Sequence, residues 1–70
     1  MGDTILIEVN GLQEKVPENA TISRLISFFQ ERDVHLVVEL NGRFVYPHQY
    51  EKTRVSQGDS VEFINPDFGG

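Results

Sequence analysis

Two Asn-Gly dipeptides, each set between runs of alternating apolar residues, restrict the fold of this 70-residue sequence more than any other feature. Asn10-Gly11 and Asn41-Gly42 each supply the two consecutive positive-φ residues that a type I′ turn requires. Such turns join antiparallel strands because their twist matches that of the flanking strands. The sequence therefore predicts two tight β-hairpins, with strands at residues 4–9, 12–16, 35–40 and 43–46.

The first hairpin shows which side chains should face the protein interior. Every second residue from position 5 to position 9 is isoleucine or valine, which indicates that one face of this strand is buried. On the return strand, Leu12 and Val16 are expected to point inward. Pro17 has no N–H group to donate, so it closes that strand.

A single amphipathic helix is predicted after the first hairpin. Thr21 is expected to be its N-cap, with the hydroxyl oxygen accepting a hydrogen bond from a free N–H group of the first turn. The sequence places the end of the helix near residues 32–33, although no glycine marks that end. Four apolar residues recur at helical spacing and form one buried stripe: Ile22, Leu25, Ile26 and Phe29.

The second half of the chain completes a sheet. Residues 48–54 are predicted to be irregular with at most one helical turn, Gly58-Asp59 to form a turn, and residues 60–64 to form the last strand. One helix must then cover a sheet of four or five strands, which defines an α+β two-layer domain. We expect one domain at residues 1–66, followed by a flexible tail at residues 67–70.

The strands carry more apolar residues than one covered face needs. These residues alternate out of phase with the inward set: Leu6, Val37, Phe44, Tyr46 and Ile64. An exposed apolar surface of this size is unusual for a small monomer, so it indicates a partner-binding face. The alternative is that some of these side chains lie at the ends of the sheet or pack beneath residues 48–57.

Composition argues against several classes of function. The chain has eleven Asp and Glu residues against six Lys and Arg, whereas nucleic-acid-binding proteins are typically basic. It has no cysteine, so it has no thiol nucleophile or thiolate metal site. His48 and Glu51 together are too few ligands for a metal. No apolar run approaches the roughly 18 residues of a membrane span, and no signal peptide is recognisable. We expect a cytoplasmic protein that binds neither nucleic acid nor membranes.

The last residues, Phe68, Gly69 and Gly70, suggest a reactive tail. Because the two glycines lack β-carbons, they can lie extended in a narrow channel where a side chain would collide. Five extended residues reach at most about 17 Å, which could carry the Gly70 carboxylate into the active site of another protein. We expect Gly69 and Phe68 to serve channel entry. The alternative is an ordinary frayed terminus.

The chemistry of such a carboxylate follows from general principles. A carboxylate is a poor electrophile because its oxygen leaves badly, whereas a mixed anhydride with AMP has a good leaving group. A sulfur nucleophile can displace AMP from that anhydride and leave a thiocarboxylate. Since so small a domain has little room for a substrate cavity, ATP and Mg²⁺ should be bound by the partner enzyme. The chain would bind no cofactor and act as a protein co-substrate, not as an enzyme.

Three segments resemble the ThiS family of ubiquitin-like sulfur carriers: residues 37–45, residues 58–63 and Gly69-Gly70. The resemblance implies a β-grasp fold, in which the last strand of a mixed sheet lies beside the first. It also implies that a ThiF-like adenylyltransferase activates Gly70 and that a sulfur-donating enzyme supplies the sulfur. A ThiG-like thiazole synthase would then use the thiocarboxylate to build the thiazole ring of thiamine.

Other functions remain open from the sequence. Similar sulfur carriers include the MoaD-like small subunit of molybdopterin synthase, and a ubiquitin-like modifier would join Gly70 to lysines of target proteins. A plain binding module would use only the exposed sheet face. The residues Tyr46-Pro47-His48 and the acidic Asp67 depart from the ThiS pattern. We expect the free chain to be a monomer.

Overall fold

The computed structural model describes residues 2–66, which contain five β-strands, one α-helix and one 3-10 helix. The predicted α+β architecture with one covering helix is confirmed. Within residues 2–66, no helix is both long and apolar enough to cross a membrane. The elements in chain order are β1 (Thr4–Val9), β2 (Leu12–Pro17), α1 (Ile22–Phe28), β3 (Val37–Leu40), β4 (Arg43–Val45), the 3-10 helix (Pro47–Gln49) and β5 (Ser60–Ile64).

Both predicted hairpin turns are confirmed. Asn10 and Gly11 have φ angles of 50° and 84°, and Asn41 and Gly42 have φ angles of 52° and 83°. Two successive positive-φ residues are the signature of the type I′ turn. The turns fix the register of each hairpin, with β1 antiparallel to β2 and β3 antiparallel to β4.

The last strand, β5, lies in the middle of the sheet. The strand order is β2-β1-β5-β3-β4. β5 runs parallel to β1 and antiparallel to β3, so the sheet is mixed. Because one hairpin lies on each side of β5, the chain leaves the centre of the sheet after Ile64.

The helix packs against one face of the sheet and closes the core. Of the predicted stripe, Ile22 and Leu25 are buried, whereas Ile26 and Phe29 are partly buried against the core. Phe63 is buried, and its ring centroid lies 6.2 Å from that of Phe29. The largest fully buried side chains come from the helix and from four different strands: Ile7, Val16, Ile22, Leu25, Val38 and Val61.

The helix is anchored at its N-terminal end by the segment that the sequence left irregular. Thr21 is the N-cap as predicted, because its Oγ1 accepts from the Arg24 N–H group at 3.1 Å. The Ile22 N–H group donates to the Thr53 carbonyl at 2.8 Å. Val55, which is only 2% exposed, donates its N–H group to the Ala20 carbonyl at 2.9 Å. Residues 53–55 therefore hold the start of the helix and contribute Val55 to the core.

Two sequence-based expectations were wrong at the edges of these elements. Leu12 is 67% exposed, because it directly follows the turn at the outer corner of edge strand β2. The third strand begins at Val37 rather than at residue 35. The preceding residues instead form a turn at Asp33, whose Oδ1 accepts from the His35 N–H group at 2.8 Å.

The helix also ends earlier than residues 32–33, at Phe28. Gln30 has a φ angle of 58°, and its N–H group donates to the Ser27 carbonyl at 3.1 Å. The Glu31 N–H group donates to the Ile26 carbonyl at 2.9 Å. This pair of hydrogen bonds is the Schellman motif, in which glycine normally takes the left-handed position. A glutamine takes it here, so no glycine marks the end of the helix in the sequence.

Replacing Gln30 with glycine is expected to stabilise the protein by about 0.5–1 kcal/mol, because glycine adopts a positive φ angle without steric strain. Urea unfolding followed by circular dichroism measures the change. The matched control is Ser27→Gly, inside the helix, which is expected to destabilise the protein by about 0.5 kcal/mol. Destabilisation by Gln30→Gly would contradict this account of the helix end.

Candidate functional site

The candidate site begins where β5 ends and the chain leaves the sheet. The structure describes this region as far as Pro66. The predicted tail residues Phe68, Gly69 and Gly70 lie outside the described residues, as does Asp67. The described part of the site therefore consists of β5, the strands beside it and the exposed face of the sheet.

Asn10 holds β5 near its C-terminal end. The Asn10 N–H group donates to the Val61 carbonyl at 3.0 Å. Its side-chain Oδ1 accepts from the Phe63 N–H group at 2.8 Å, and its Nδ2 donates to the Phe63 carbonyl at 3.3 Å. One side chain thus pairs with both backbone groups of the penultimate residue of β5.

Asn41 holds β5 at its other end. Its N–H group donates to the Ser60 carbonyl at 2.7 Å, and its side-chain Oδ1 accepts from the Ser60 N–H group at 2.9 Å. The Asn41 Nδ2 donates to the Asp59 Oδ1 at 3.0 Å. The other Asp59 carboxylate oxygen accepts from the Ser56 N–H group at 2.7 Å and closes the turn before β5.

Sequence reasoning assigned these two asparagines to their turns and missed their contacts with β5. The available signal was the choice of residue. Asparagine offers both a donor and an acceptor on its side chain, whereas glycine would satisfy the same turn without either. The topology that brings both turns next to one strand is what gives that choice a consequence.

Four of the five residues predicted for the partner-binding face lie at the β5–β3–β4 part of the exposed sheet face. Val37 pairs directly with Ile64 across β3 and β5. The ring centroids of Phe44 and Tyr46 lie 6.4 Å apart. Phe44 and Tyr46 are 60% and 57% exposed, so the aromatic part of this face is open to solvent.

Leu6, the fifth residue, lies apart from the other four. Its carbonyl accepts from the Gly58 N–H group at 2.8 Å, before β5 begins. Leu6 lies two residues before Glu8, the partner of Ser60, and Ile64 is the last residue of β5, so roughly 20 Å of strand separates the two positions. Two carboxylate side chains lie between Leu6 and Ile64 on this face: Glu39 and Glu62, which are direct cross-strand partners. Because two carboxylate side chains are directly opposite each other there, the middle of this face is acidic.

An apolar groove of about 270 Å³ adjoins the aromatic part of the face. Val37, Phe44 and Tyr46 line it together with residues from the core side, including Tyr50. Burial raises the pKa of the Tyr50 phenol above its ordinary value of 10.0, so this group is neutral at physiological pH. The groove can accept an apolar side chain from a partner.

The described residues offer no metal site. Among residues 2–66, no group of three His, Cys, Asp or Glu side chains could hold a metal ion. His48 stacks on the Tyr46 ring, with the two centroids 6.1 Å apart and an angle of 8° between the planes. His35 Nδ1 lies 3.7 Å from the Asp33 carboxylate. His48 therefore packs on an aromatic ring and His35 lies beside a carboxylate.

Comparison with known proteins decides the family. A family model described as the ThiS family matches residues 4–70. The chain belongs to the ThiS family. Among solved structures, this ThiS-family chain is similar to the thiamine biosynthesis protein (ThiS) from Geobacter metallireducens. The two are 30% identical with a TM-score of 0.84, and the match covers 94% of this chain and 100% of the other. A search among curated proteins found no match.

These matches confirm the β-grasp fold and the prediction that the chain is a sulfur carrier of thiamine biosynthesis. Members of the ThiS family carry sulfur and do not catalyse its transfer, so the chain is not an enzyme. Family membership implies partners of the ThiF and ThiG types in general.

Proposed function

We propose that the chain carries sulfur at its Gly70 α-carboxylate, which is converted to a thiocarboxylate. A ThiF-like adenylyltransferase, which binds ATP and Mg²⁺, lets this carboxylate attack the α-phosphate of ATP and releases pyrophosphate. A sulfur-donating enzyme then supplies the nucleophile that displaces AMP and forms the thiocarboxylate. A ThiG-like thiazole synthase takes the sulfur for the thiazole ring. The chain works in the cytoplasm, where ATP is available to this reaction, and is a monomer between encounters.

The observation that best supports this proposal is the central position of β5. The chain leaves the sheet at Ile64, from a strand flanked on both sides and held at both ends by asparagine side chains. A rigid origin lets a short tail reach a fixed target without moving the folded domain. Residues 66–70 reach at most about 17 Å when extended. The ThiS-family match continues through these residues to position 70.

The exposed sheet face supplies the docking surface in this proposal. Val37, Phe44, Tyr46 and Ile64 lie next to the point where the tail begins, so a partner that covers them also receives the tail. Aromatic residues in such a position commonly dominate binding energy. Leu6 extends the contact towards the other end of β5. The acidic middle of the face favours a partner with basic residues, since complementary charge speeds association.

Reconstitution tests the proposal. The chain is incubated with its cognate adenylating enzyme, ATP, Mg²⁺ and a sulfur source, and its intact mass is measured. The expected result is the mass change of one oxygen-to-sulfur exchange, dependent on ATP and absent from a variant lacking Gly69 and Gly70. An unchanged mass with an active cognate enzyme would refute the proposal. Full biological activity of the truncated variant would support a plain binding module.

A further inference from the structure

We propose that Asn10 is a positioning residue, whose side-chain amide fixes the direction in which the chain leaves β5. The inference concerns the described residues around Phe63. Its consequence for sulfur loading rests on the proposed function of Gly70.

The side chain of Asn10 continues the parallel ladder after β1 has ended. β1 ends at Val9, and its pairing with β5 covers only Ser60 and Val61. In a parallel ladder, the strand residue that donates to Val61 would also accept from Phe63 through its own carbonyl. Asn10 donates to Val61 but has a φ angle of 50° and turns away into the hairpin.

The side-chain amide replaces what the turning backbone no longer supplies. Asn10 Oδ1 accepts from the Phe63 N–H group at 2.8 Å, in place of a strand carbonyl. Asn10 Nδ2 donates to the Phe63 carbonyl at 3.3 Å, in place of the next strand N–H group. Without the amide, the Phe63 N–H and C=O groups would have no hydrogen-bond partner on the β1 side. Phe63 would still lie opposite Val38 of β3.

Phe63 is the right residue to control the exit of the chain. It is only 4% exposed and stands one residue before the end of β5. Fixing its two backbone groups from the β1 side sets the orientation of the peptide that leads to Ile64 and Asn65. Loss of this support would let the exit segment sample more directions, and a partner enzyme would have to order it on binding.

The chain contains its own matched control. Asn41 is the same residue type at the same position of the same turn type, with a φ angle of 52°. Its amide contacts Ser60 and Asp59 at the start of β5, away from the exit. Asn10→Gly and Asn41→Gly both keep a residue that accepts a positive φ angle, and each removes one side-chain amide.

The two variants should differ in dynamics and in kinetics. In the full-length chain, Asn10→Gly is expected to speed amide hydrogen exchange at Phe63 and to lower the ¹⁵N order parameter at Asn65, whereas Asn41→Gly should change neither.

Ordering one freed residue corresponds to roughly a five- to thirtyfold effect on binding. With the cognate adenylating enzyme, the KM for Asn10→Gly should therefore rise roughly five- to thirtyfold while kcat stays the same. Asn10→Asp, which keeps the acceptor for the Phe63 N–H group, should restore part of the affinity.

Several outcomes would overturn the inference. Equal protection of the Phe63 amide in the wild-type chain and in Asn10→Gly would do so, as would equal KM values for Asn10→Gly and Asn41→Gly. A general loss of stability would lower the thermal unfolding midpoint and speed hydrogen exchange at amides throughout the core, so it is distinguishable from a positioning effect, which speeds exchange only near Phe63. If the wild-type chain failed to load at all, the proposed function would fall, while the exchange measurement would still decide the role of Asn10.

Discussion

Replacing Gly69 with valine is expected to slow adenylation of the chain by a cognate enzyme about 100-fold, because displacing a reacting group by about 1 Å has an effect of that size. A β-branched side chain next to the reactive carbonyl would collide with a channel that fits an extended glycine pair. Pyrophosphate release under conditions of limiting enzyme measures the rate.

The matched control for this prediction is Gly69→Ala, whose single methyl group should give an intermediate rate. The thermal unfolding midpoint of both variants should equal that of the wild-type chain, because Gly69 follows the last strand in the sequence. Adenylation of Gly69→Val at the wild-type rate would contradict the steric argument for the glycine pair.

Replacing Phe44 with alanine is expected to weaken binding to the adenylating enzyme about 30-fold, the effect of losing about 2 kcal/mol at an aromatic anchor. Phe44 is 60% exposed in the free chain, so its truncation should change the free energy of unfolding only slightly. Titration calorimetry with the isolated partner measures the dissociation constant.

The chain offers a close control in Phe28. This residue is also a half-exposed phenylalanine, at 52% exposure, but it lies on α1 in the opposite layer. Phe28→Ala should leave the dissociation constant almost unchanged. Equal losses of affinity for the two variants would show that the sheet face is not the docking surface.

Local signals in the sequence were enough to predict most of the fold. The two Asn-Gly turns and the period-two strands predicted the hairpins, and Thr21 marked the start of the helix. The predicted end of the helix was wrong because Gln30 occupies a left-handed position that glycine usually takes. The prediction that Leu12 is buried was wrong because alternation shows which face of a strand a side chain lies on, but not how far the covering helix extends over that face.

The candidate site was only partly predictable. The glycine pair and the apolar residues on the outer face follow from residue type and alternation. The sequence could not show that Leu6 lies apart from Ile64, because that depends on the parallel register of β1 and β5. The contacts of Asn10 with Phe63 join residues 53 positions apart, and only the completed topology brings them together.

In the proposed reaction, sulfur is carried on the C-terminal carbonyl of this chain. The decisive experiment is fragmentation mass spectrometry of the chain after loading by its cognate enzymes. We expect the mass change of one oxygen-to-sulfur exchange to be confined to Gly70. The same change on any other residue, such as the neighbouring Asp67 carboxylate, would contradict it.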